Sequence, residues 1–429
     1  MSGKRMDERE MEVMTYVEFF ETDHSKNLCA SLIQPPERVV LVGRDQKVMA
    51  RHAARYQAVL RGRGHEVEFV CQSANVNRIQ DVIDVLSTLV ETYDDCVFDL
   101  TGGEDLYLVA MGMVFERYRD KNLQLHRFNF QNGQLYDCDQ DGSTIAQTDV
   151  PTLSIAEQIR LYGGDIVYGD TVGVSTCLWQ WDADFHRDID ALWELCKEDP
   201  TLWNTQIDIL TAAESFSGAI RSDLTTAVDA ARFRDWLRSV GRNLSAGNPL
   251  FQELFRAGLL TAYYLQDTFL VTYKNEQVKK CLTKAGQALE MKITSAALRA
   301  VDKDGKRIYH EAVNGVCIDW DGVTDQLPAN LDVRNEVDVM LMHGMIPVFV
   351  SCKNGAVGAD ELFKLNTVAE RFGGARAKKV LALAALDEND PRTPPLRQRA
   401  GELNIRILDP SVLRSEDKLQ KAVASLWCS

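Results

Sequence analysis

The hundred residues after Thr15 alternate between two kinds of segment, and this alternation constrains the fold more than any other feature of the chain. Short apolar runs, rich in β-branched and aromatic residues, lie at 15–20, 38–43, 65–70 and 94–100. Longer stretches with apolar residues at helical spacing separate or follow them, at 46–64, about 75–92 and 105–118. Strands that alternate with helices form a parallel sheet covered on both faces. The sequence therefore predicts an α/β first domain.

Turn and linker signals divide the rest of the chain. A hairpin predicted at 123–138 completes the first domain, and the pair Gly163-Gly164 marks its end. The middle is mostly helical and ends in a hairpin at 260–274, an order that suits a winged-helix module; a helical spacer without DNA contact is the alternative. We predict a mobile extension and three domains, at 1–14, 15–164, 165–277 and 278–429.

Charge and composition exclude several classes of protein. The net charge of −15 argues against a general nucleic-acid coat. Residues 281–429 carry equal numbers of basic and acidic residues, so nucleic-acid binding is expected there if anywhere. No apolar run reaches the roughly 18 residues of a membrane helix. Ten scattered cysteines without a CxxC pair indicate reduced thiols and no zinc site. We expect a soluble, cytoplasmic protein with no membrane partner.

The segment NEVDVMLMHGMIPVFVSCKNG (335–355) carries the clearest chemistry. If Gly344 and Met345 form a two-residue turn, the flanking strands pair so that Asp338 faces Ser351 and Glu336 faces Lys353. A register slip of one residue would break this grouping. Carboxylates beside an amine in a buried hairpin are costly unless they pair or bind a cation.

A hard cation such as Mg²⁺ or Mn²⁺ would suit these oxygen ligands. Held by Asp338, it could polarise a phosphate and acidify a water, while Lys353 orients that water or stabilises the developing charge. Glu290, on the preceding predicted helix, is the natural additional acid if that helix packs on the strands. Two alternatives stay open: an Asp338–Lys353 ion pair without metal, and Glu290 as an exposed helix residue.

These residues resemble a known group of enzymes. The spacing of Asp338, Ser351 and Lys353 after a GxxLE helix looks like the PD-(D/E)xK nuclease superfamily. NEVDV…VSCKNG…ELFKLNTVAERFGG is similar to the nuclease half of CRISPR ancillary nucleases that join a CARF domain to a restriction-endonuclease-like domain. The resemblance implies catalytic roles for Lys353, Asp338, Glu290 and Glu336. The motif's acid is replaced by Ser351, so the metal ligands it implies are Asp338, Glu290, Ser351, Cys352 and Glu361.

The loop LTGG (100–103) lies between a predicted strand and helix, where backbone N–H groups can bind phosphate. It lacks the spaced glycines of a dinucleotide fingerprint, which argues against a dehydrogenase. The CARF resemblance, which covers nearly the whole chain from Thr15, implies a cyclic oligoadenylate bound across a homodimer interface. The residues expected to contact it, with ordinary loop roles as the alternative, are Thr22, Asp23, His24, Ser25, Gly43, Arg44, Asp45, Thr101, Gly102, Gly103 and Glu104.

The sequence thus leads to a Rossmann-like CARF domain, a helical winged-helix-like middle and a restriction-endonuclease-like α/β domain. The expected function is a Mn²⁺- or Mg²⁺-dependent nuclease of type III CRISPR antiviral defence, activated by cyclic oligoadenylate, with the tetra-adenylate favoured. Its expected substrate is single-stranded DNA or RNA, with nicking of duplex DNA as a further possibility. The alternative is a nucleotide-sensing DNA-binding regulator with an inactive nuclease domain. Basic residues around Gly373-Gly374, expected either to contact nucleic acid or to form a solvated helix end, are Arg371, Arg376, Lys378 and Lys379.

Overall fold

The structure, a computed structural model, describes residues 14–75, 77–130, 132–138, 144–146, 151–244, 249–323, 333–355 and 357–428. The extension predicted at 1–14 lies outside these ranges, except for its last residue. The chain divides into two compact units. The first is Met1–Leu153 with Arg160–Gly163, and the second is Ser154–Ile159 with Gly164–Ser429. Helix α5 (Ile155–Leu161) contains residues of both.

The first unit is a seven-stranded sheet with four helices. Its strands are β1 (Thr15–Phe19), β2 (Arg38–Gly43), β3 (Glu68–Ser73), β4 (Cys96–Asp99), β5 (Gln124–Asn129), β6 (Gln134–Asp137) and β7 (Thr144–Ala146). Its helices are α1 (Cys29–Ile33), α2 (Gln46–Gly62), α3 (Ile79–Thr92) and α4 (Asp105–Arg117). The predicted third strand is displaced, since β3 begins at Glu68 rather than at residue 65.

The strand order in this sheet is β3-β2-β1-β4-β5-β6-β7. Strands β1 to β5 are parallel, which confirms the predicted α/β architecture, and β5 and β6 form the expected antiparallel hairpin. The order reverses direction between β1 and β4. At such a switch point the loops after two adjacent strands diverge and leave a crevice at the carboxyl edge of the sheet.

A hydrophobic cluster packs one face of this sheet. Helices α3 and α4 bury apolar residues at i, i+3 and i+4 spacing against one face of the sheet, including Leu86, Tyr107 and Met111. The sheet face itself contributes alternate residues such as Val17 and Phe98. The apolar residues whose spacing predicted these helices and strands are therefore the same residues that pack them together.

The second unit contains two sheets. Its strands are β8 (Asp165–Ile166), β9 (Ile220–Arg221), β10 (Thr225–Asp229), β11 (Leu260–Leu265), β12 (Thr268–Tyr273), β13 (Glu311–Asp319), β14 (Arg334–His343), β15 (Ile346–Lys353), β16 (Lys378–Leu383) and β17 (Ile405–Leu408). Its helices are α6 (Ala183–Glu198), α7 (Pro200–Ser215), α8 (Ala230–Ser239), α9 (Pro249–Arg256), α10 (Glu276–Leu282), α11 (Gln287–Arg299), α12 (Ala359–Gly373), α13 (Thr393–Glu402), α14 (Pro410–Leu413) and α15 (Glu416–Ala424).

The larger sheet has the order β17-β16-β15-β14-β13-β8, and the smaller has β11-β12-β10-β9. A single hydrophobic cluster runs through the helices α6 to α9, the small sheet and the strands β14 to β16. The segments predicted as separate domains at 165–277 and 278–429 thus share one core. The short strand β8, at the start of the middle segment, pairs with β13 of the larger sheet.

The single helix predicted at about 278–300 is two helices. Gly286 has a φ of +88°, a conformation that side-chain-bearing residues rarely adopt, and it separates α10 from α11. Helix α11 is buried along most of its length and packs on β13, β14 and β15. Lys292, 2% exposed, donates to Asp190 at 2.7 Å and to Glu416 at 2.6 Å, which ties α11 to α6 and α15. This anchoring fixes the position of Glu290, the acid in the first turn of α11.

No helix among the described residues is long and apolar enough to cross a membrane. No disulfide joins any of the ten cysteines, all of which lie in the described ranges.

Candidate active site and ligand loops

The hairpin of β14 and β15 has the register that the sequence predicts. Gly344, at a φ of +60°, and Met345 form the turn, and the ladder runs from His343↔Ile346 to Val339↔Val350. Beyond Val339↔Val350 the two strands separate. β14 continues along β13 to Arg334, whereas β15 continues along β16 to Lys353. The parting creates a fork in the sheet, and the polar residues of both strands lie at it.

Asp338 closes the fork at its base. Its Oδ2 accepts hydrogen bonds from the backbone N–H of Cys352 at 2.6 Å and from the Ser351 hydroxyl at 3.2 Å. The Lys353 ammonium lies 3.0 Å from the same oxygen. Asp338 therefore faces Ser351 as predicted, and one carboxylate oxygen gathers three donors from β15.

Helix α12 contributes a second carboxylate to this group. Glu361, in its first turn, accepts from the Ser351 hydroxyl at 2.9 Å and lies 3.2 Å from the Lys353 ammonium. Burial opposes the charge of Lys353, but Asp338 and Glu361 outweigh it and raise the pKa of the lysine above its usual value. Lys353 is thus a fixed cation between two carboxylates. The cleft beside it, with a volume of about 120 Å³, is also lined by Lys364.

A second lysine holds the other two acids, and sequence reasoning missed it. Lys284, in the loop between α10 and α11, contacts Glu336 and lies 3.9 Å from Glu290. Burial works against its charge, yet Glu290 and Glu336 raise the pKa of Lys284. The available signal was a lysine six residues before Glu290 in the turn that opens α11.

Glu290 is a buried acid, not an exposed helix residue. It is 5% exposed, and its Oε2 has no hydrogen-bond partner among the residues that the structure describes. Burial raises the pKa of Glu290 to about 8, against the opposing effect of Lys284. The sequence alternative of a solvated glutamate is therefore wrong.

Glu336 does not face Lys353. The predicted register would have paired them, but the β14–β15 ladder ends before it reaches these residues, and Glu336 pairs instead with Cys317 on β13. The physical reason is the fork: β15 turns to hydrogen-bond with β16, and Glu336 remains with β13 and Lys284. The site consists of two carboxylate–lysine–carboxylate groups rather than one row of paired residues.

The carboxylate oxygens at the fork suit a hard divalent cation, although in this structure Lys353 and Lys284 pair with them. Within the described ranges, no three His, Cys, Asp or Glu side chains are grouped closely enough to hold a metal ion as they stand. The oxygens of Asp338, Glu290 and Glu361 are nevertheless of the type that Mg²⁺ and Mn²⁺ prefer. The Oε2 atom of Glu290 is buried and unbonded within the described part of the chain, so it can accept a ligand bond without losing a hydrogen bond.

The four basic residues expected to contact nucleic acid lie away from the fork. Lys378 and Lys379 begin β16, and Lys378 pairs with Val348, five residues before Lys353 on the neighbouring strand. At about 3.3 Å per residue this separates Lys378 from the level of Lys353 by about 17 Å. Lys379 donates to Asn366 at 2.7 Å, and Arg371 lies over the Phe372 ring; Arg376 follows α12 in a short 3-10 turn. A contact with a longer strand stays a prediction for these residues.

In the first unit, the candidate ligand loops meet at the switch point of the sheet. The loops after β1 and β4 lie side by side, because the backbone N–H of Gly103 donates to the Glu21 carboxylate at 2.8 Å. The loop after β2 is next to that of β1, as shown by the bond from Phe20 N–H to the Val42 carbonyl at 2.9 Å. The three loops predicted from the sequence therefore share one edge of the sheet.

The LTGG loop is held by Asp99, the last residue of β4. The N–H of Thr101 donates to Asp99 at 2.8 Å, and the Thr101 hydroxyl also donates to it. The hydroxyl oxygen accepts from the N–H of Phe128 at 2.8 Å. Gly103 has a φ of +124°, which requires glycine, and Glu104 is exposed just before α4.

The other predicted contacts divide by exposure. Thr22 is exposed, but Asp23, His24 and Ser25 are buried, and His24 bonds to the Tyr56 hydroxyl at 2.7 Å. Gly43 lies against Met49, and Asp45 accepts the N–H groups of residues 47 and 48 to begin α2. Arg44 is exposed and donates to Asn77 at 3.2 Å. Of these predicted contacts, the exposed ones are Thr22, Arg44, Asp45 and Glu104.

The chain is thus a multidomain α/β protein, with a Rossmann-type switch point in one unit and a polar fork in the other. Comparison with solved structures shows that this fold is known. Along 96% of this chain it matches VC1899 from Vibrio cholerae (TM-score 0.68, 17% identity, 98% of that chain). It also matches, along 96%, Can2 from Sulfobacillus thermosulfidooxidans in complex with cyclic tetra-adenylate (TM-score 0.62, 16% identity, 99% of that chain). No family model and no curated protein matches by sequence.

Proposed function

We propose that this protein is a divalent-metal-dependent endonuclease of the CARF-domain type, activated by a cyclic oligoadenylate in type III CRISPR defence. The observation that carries the proposal is the fork, where Asp338, Glu361 and Lys353 meet beside the buried Glu290. Its support on the ligand side is the shared fold with Can2, whose structure contains cyclic tetra-adenylate. Cyclic tetra-adenylate is accordingly the favoured activator.

In this proposal each polar side chain at the fork has a role. Asp338, Glu290 and Glu361 would hold Mn²⁺ or Mg²⁺, with Ser351 and Cys352 beside them and Glu336 tethering Lys284. When bound, the metal would supply Lewis acidity toward a phosphodiester oxygen. Lys353, a fixed cation next to Asp338, stabilises the charge that develops on the phosphate and orients the attacking water. The exposed Lys364 at the cleft gives a contact for the nucleic-acid backbone.

The proposal includes a homodimer. Helix α4, which follows the LTGG loop, exposes an apolar face made of Leu108, Val109, Gly112 and Met113. Val109 is 54% exposed and Met113 is 48% exposed. Apolar residues grouped on one face of a surface helix indicate a contact with another molecule. A second copy of this chain would cover the face and place two ligand loops together.

The test is cleavage of labelled single-stranded DNA, single-stranded RNA and supercoiled plasmid. It is run with Mn²⁺ or Mg²⁺, with and without cyclic tetra- and hexa-adenylate. Asp338→Ala and Lys353→Ala should each reduce the cleavage rate by about 100-fold or more. Lys421→Ala, which removes an exposed lysine paired with Asp417 on a surface helix, is the matched control. Cutting that needs neither metal nor ring, or that survives in both active-site variants, contradicts the proposal.

The second candidate is a nucleotide-sensing DNA-binding regulator whose nuclease site is inactive. Two observations favour it: Ser351 stands where an acid is expected, and helices α8 and α9 precede the hairpin of β11 and β12 as in a winged-helix module. Ring binding without cleavage of any substrate, together with binding of duplex DNA, would support this candidate over the nuclease.

A further inference from the structure

An acidic side chain of the protein itself occupies the glycine loop. The Oε1 atom of Glu21 accepts the N–H of Gly103 at 2.8 Å. A Cβ added at Gly102 would lie 2.7 Å from the Glu21 Cγ, closer than side-chain atoms pack. Gly102 is therefore needed to admit Glu21, and the loop and this side chain are fitted to each other.

Glu21 is also held in place by its own loop. Its backbone N–H donates to Asn27 Oδ1 at 2.9 Å, and its carbonyl accepts from Asn27 Nδ2 at 2.7 Å. Asn27 is 1% exposed and also donates to the Tyr56 hydroxyl at 2.9 Å, which anchors it in the core. The Lys26 ammonium lies 3.4 Å from the Glu21 carboxylate. The carboxylate is thus presented to Gly103 by a fixed backbone.

The N–H that Glu21 engages is the kind of group that binds phosphate. It follows the carboxyl end of β4, precedes α4 and points into the switch point of the sheet. A carboxylate bonded to an N–H is a charge-assisted hydrogen bond, stronger than a neutral one. An incoming phosphate and the Glu21 carboxylate are anions that compete for the same donor.

We propose that Glu21 sets the affinity of the ligand loop, because its carboxylate must leave Gly103 before a phosphate of the ligand can bind there. This inference rests on the proposed function, which supplies the anionic cyclic oligonucleotide. Glu21 is an internal competitor, because its carboxylate accepts the Gly103 N–H hydrogen bond when no ligand is bound. The consequence is a higher ligand concentration at half-saturation than the same loop would need with an uncharged residue at this position.

The repulsion of a phosphate by nearby negative charges must be distinguished from competition for the Gly103 N–H. Glu104 and Asp105 are exposed acids directly after the glycines, and both repel a phosphate through Coulomb interaction alone. Asp105 lies in the first turn of α4. Asp105→Asn removes one negative charge near the loop without freeing the Gly103 N–H, so it is a charge-matched control for Glu21→Gln.

The experiment measures the dissociation constant of cyclic tetra-adenylate by titration calorimetry for the wild type, Glu21→Ala, Glu21→Gln and Asp105→Asn. Glu21→Ala frees the N–H and should bind about tenfold more tightly, the value of one charge-assisted hydrogen bond. Glu21→Gln keeps a weaker, neutral acceptor and should fall between Glu21→Ala and the wild type. Asp105→Asn should remain within about twofold of the wild type.

A second readout does not depend on the ligand. Hydrogen exchange of the segment 100–104 should be faster in Glu21→Ala, because the Gly103 N–H loses its acceptor. If Glu21→Ala does not fold, Glu21→Gln decides, with tighter binding than Asp105→Asn as the supporting result. Wild-type binding that neither Glu21 variant improves overturns the inference and leaves the proposed function standing. If neither the wild type nor any variant binds the ring, the proposed activator and the inference fail together.

Discussion

Ser351 stands between two carboxylates and donates to either one. Its hydroxyl is 3.2 Å from Asp338 and 2.9 Å from Glu361, and the Lys353 ammonium bridges the same pair. The sequence shows only that β15 lacks the acid which precedes the lysine in the nuclease motif. The structure shows that Glu361, ten residues later on α12, brings a carboxylate to the same place. At the scale of single residues, Glu361 would take the place of the motif's acid in the proposed nuclease.

The first prediction follows from this replacement. Glu361→Gln should weaken Mn²⁺ binding by about tenfold or more, because it removes one charged oxygen ligand. Ser351→Ala removes a hydroxyl that positions the carboxylates, so its effect should be smaller. Both are measured by Mn²⁺ titration calorimetry and by the metal concentration that half-activates cleavage. A larger effect for Ser351→Ala than for Glu361→Gln would reverse the two roles.

Two more carboxylates meet in the middle of the first sheet. Glu18 of β1 pairs directly with Asp99 of β4, and both are buried. Neither oxygen of Glu18 has a hydrogen-bond partner in the part of the chain that the structure covers. Burial and the nearby Asp99 raise the pKa of Glu18 well above its usual value near 4.5, and burial raises the pKa of Asp99 to about 6. The folded chain therefore keeps a proton in this pair near neutral pH.

The second prediction concerns stability against pH. The pKa of Glu18 is higher in the folded than in the unfolded chain, so its contribution is fully present below about pH 4.5 and is lost as the pH rises above that value. Glu18→Gln mimics the protonated acid. It should raise the melting temperature at pH 8 and give a smaller gain at pH 5, as measured by calorimetry. An equal shift at both pH values would show that the carboxyl group does not titrate as the structure indicates.

At the scale of elements, the two opposite faces of α4 have different surroundings. Its inner face, with Tyr107, Ala110 and Met111, packs in the core of the first unit, and its outer face is apolar but exposed. The helix also begins directly after the glycine loop. A surface that binds a second copy along α4 would therefore be continuous with the ligand loop.

The third prediction tests that face. Val109→Glu with Met113→Glu places charges on it and should convert a dimer to a monomer in light scattering, while the helical circular-dichroism signal is retained. Arg51→Glu, which reverses a charge at an exposed position on α2 instead of α4, is the control and should leave the mass unchanged. A wild-type chain that is monomeric at micromolar concentration contradicts the proposed dimer interface.

At the scale of the whole molecule, each unit contains a hydrophobic cluster made of its own residues. The proposed ring-binding loops belong to the first unit and the metal-binding fork to the second. We expect each compact unit to unfold as its own cooperative block with its own stability. A ligand stabilises the unit to which it binds in its folded form.

The fourth prediction is that calorimetric unfolding shows two transitions with different responses. Cyclic tetra-adenylate should raise the temperature of one, and Mn²⁺ should raise the temperature of the other, each by several degrees at a concentration about 100 times its dissociation constant. Asp338→Ala should abolish the Mn²⁺ shift alone. A single transition that both ligands shift together would show that the two units unfold as one.

Much of the fold could be predicted because short-range patterns encode it. The alternation at residues 15–118 gave the order of strands and helices, and the turn at Gly344-Met345 gave the register of β14 and β15 as far as Val339↔Val350. These features depend on neighbours in sequence: side-chain period, turn chemistry and helix stop signals. The class of fold and the placement of Asp338 opposite Ser351 required nothing else.

The local sequence encodes the type of each segment and the chemistry that the segment carries. Which distant groups meet depends on the tertiary structure. It separated Glu336 from Lys353 at the fork, brought Lys284 to Glu290 and Glu336, moved Lys378 to the far end of β16, and set Glu21 against Gly103. Glu21 and Gly103 are 82 residues apart. Contacts at such separations arise from the packing of whole elements, which local periodicity does not encode.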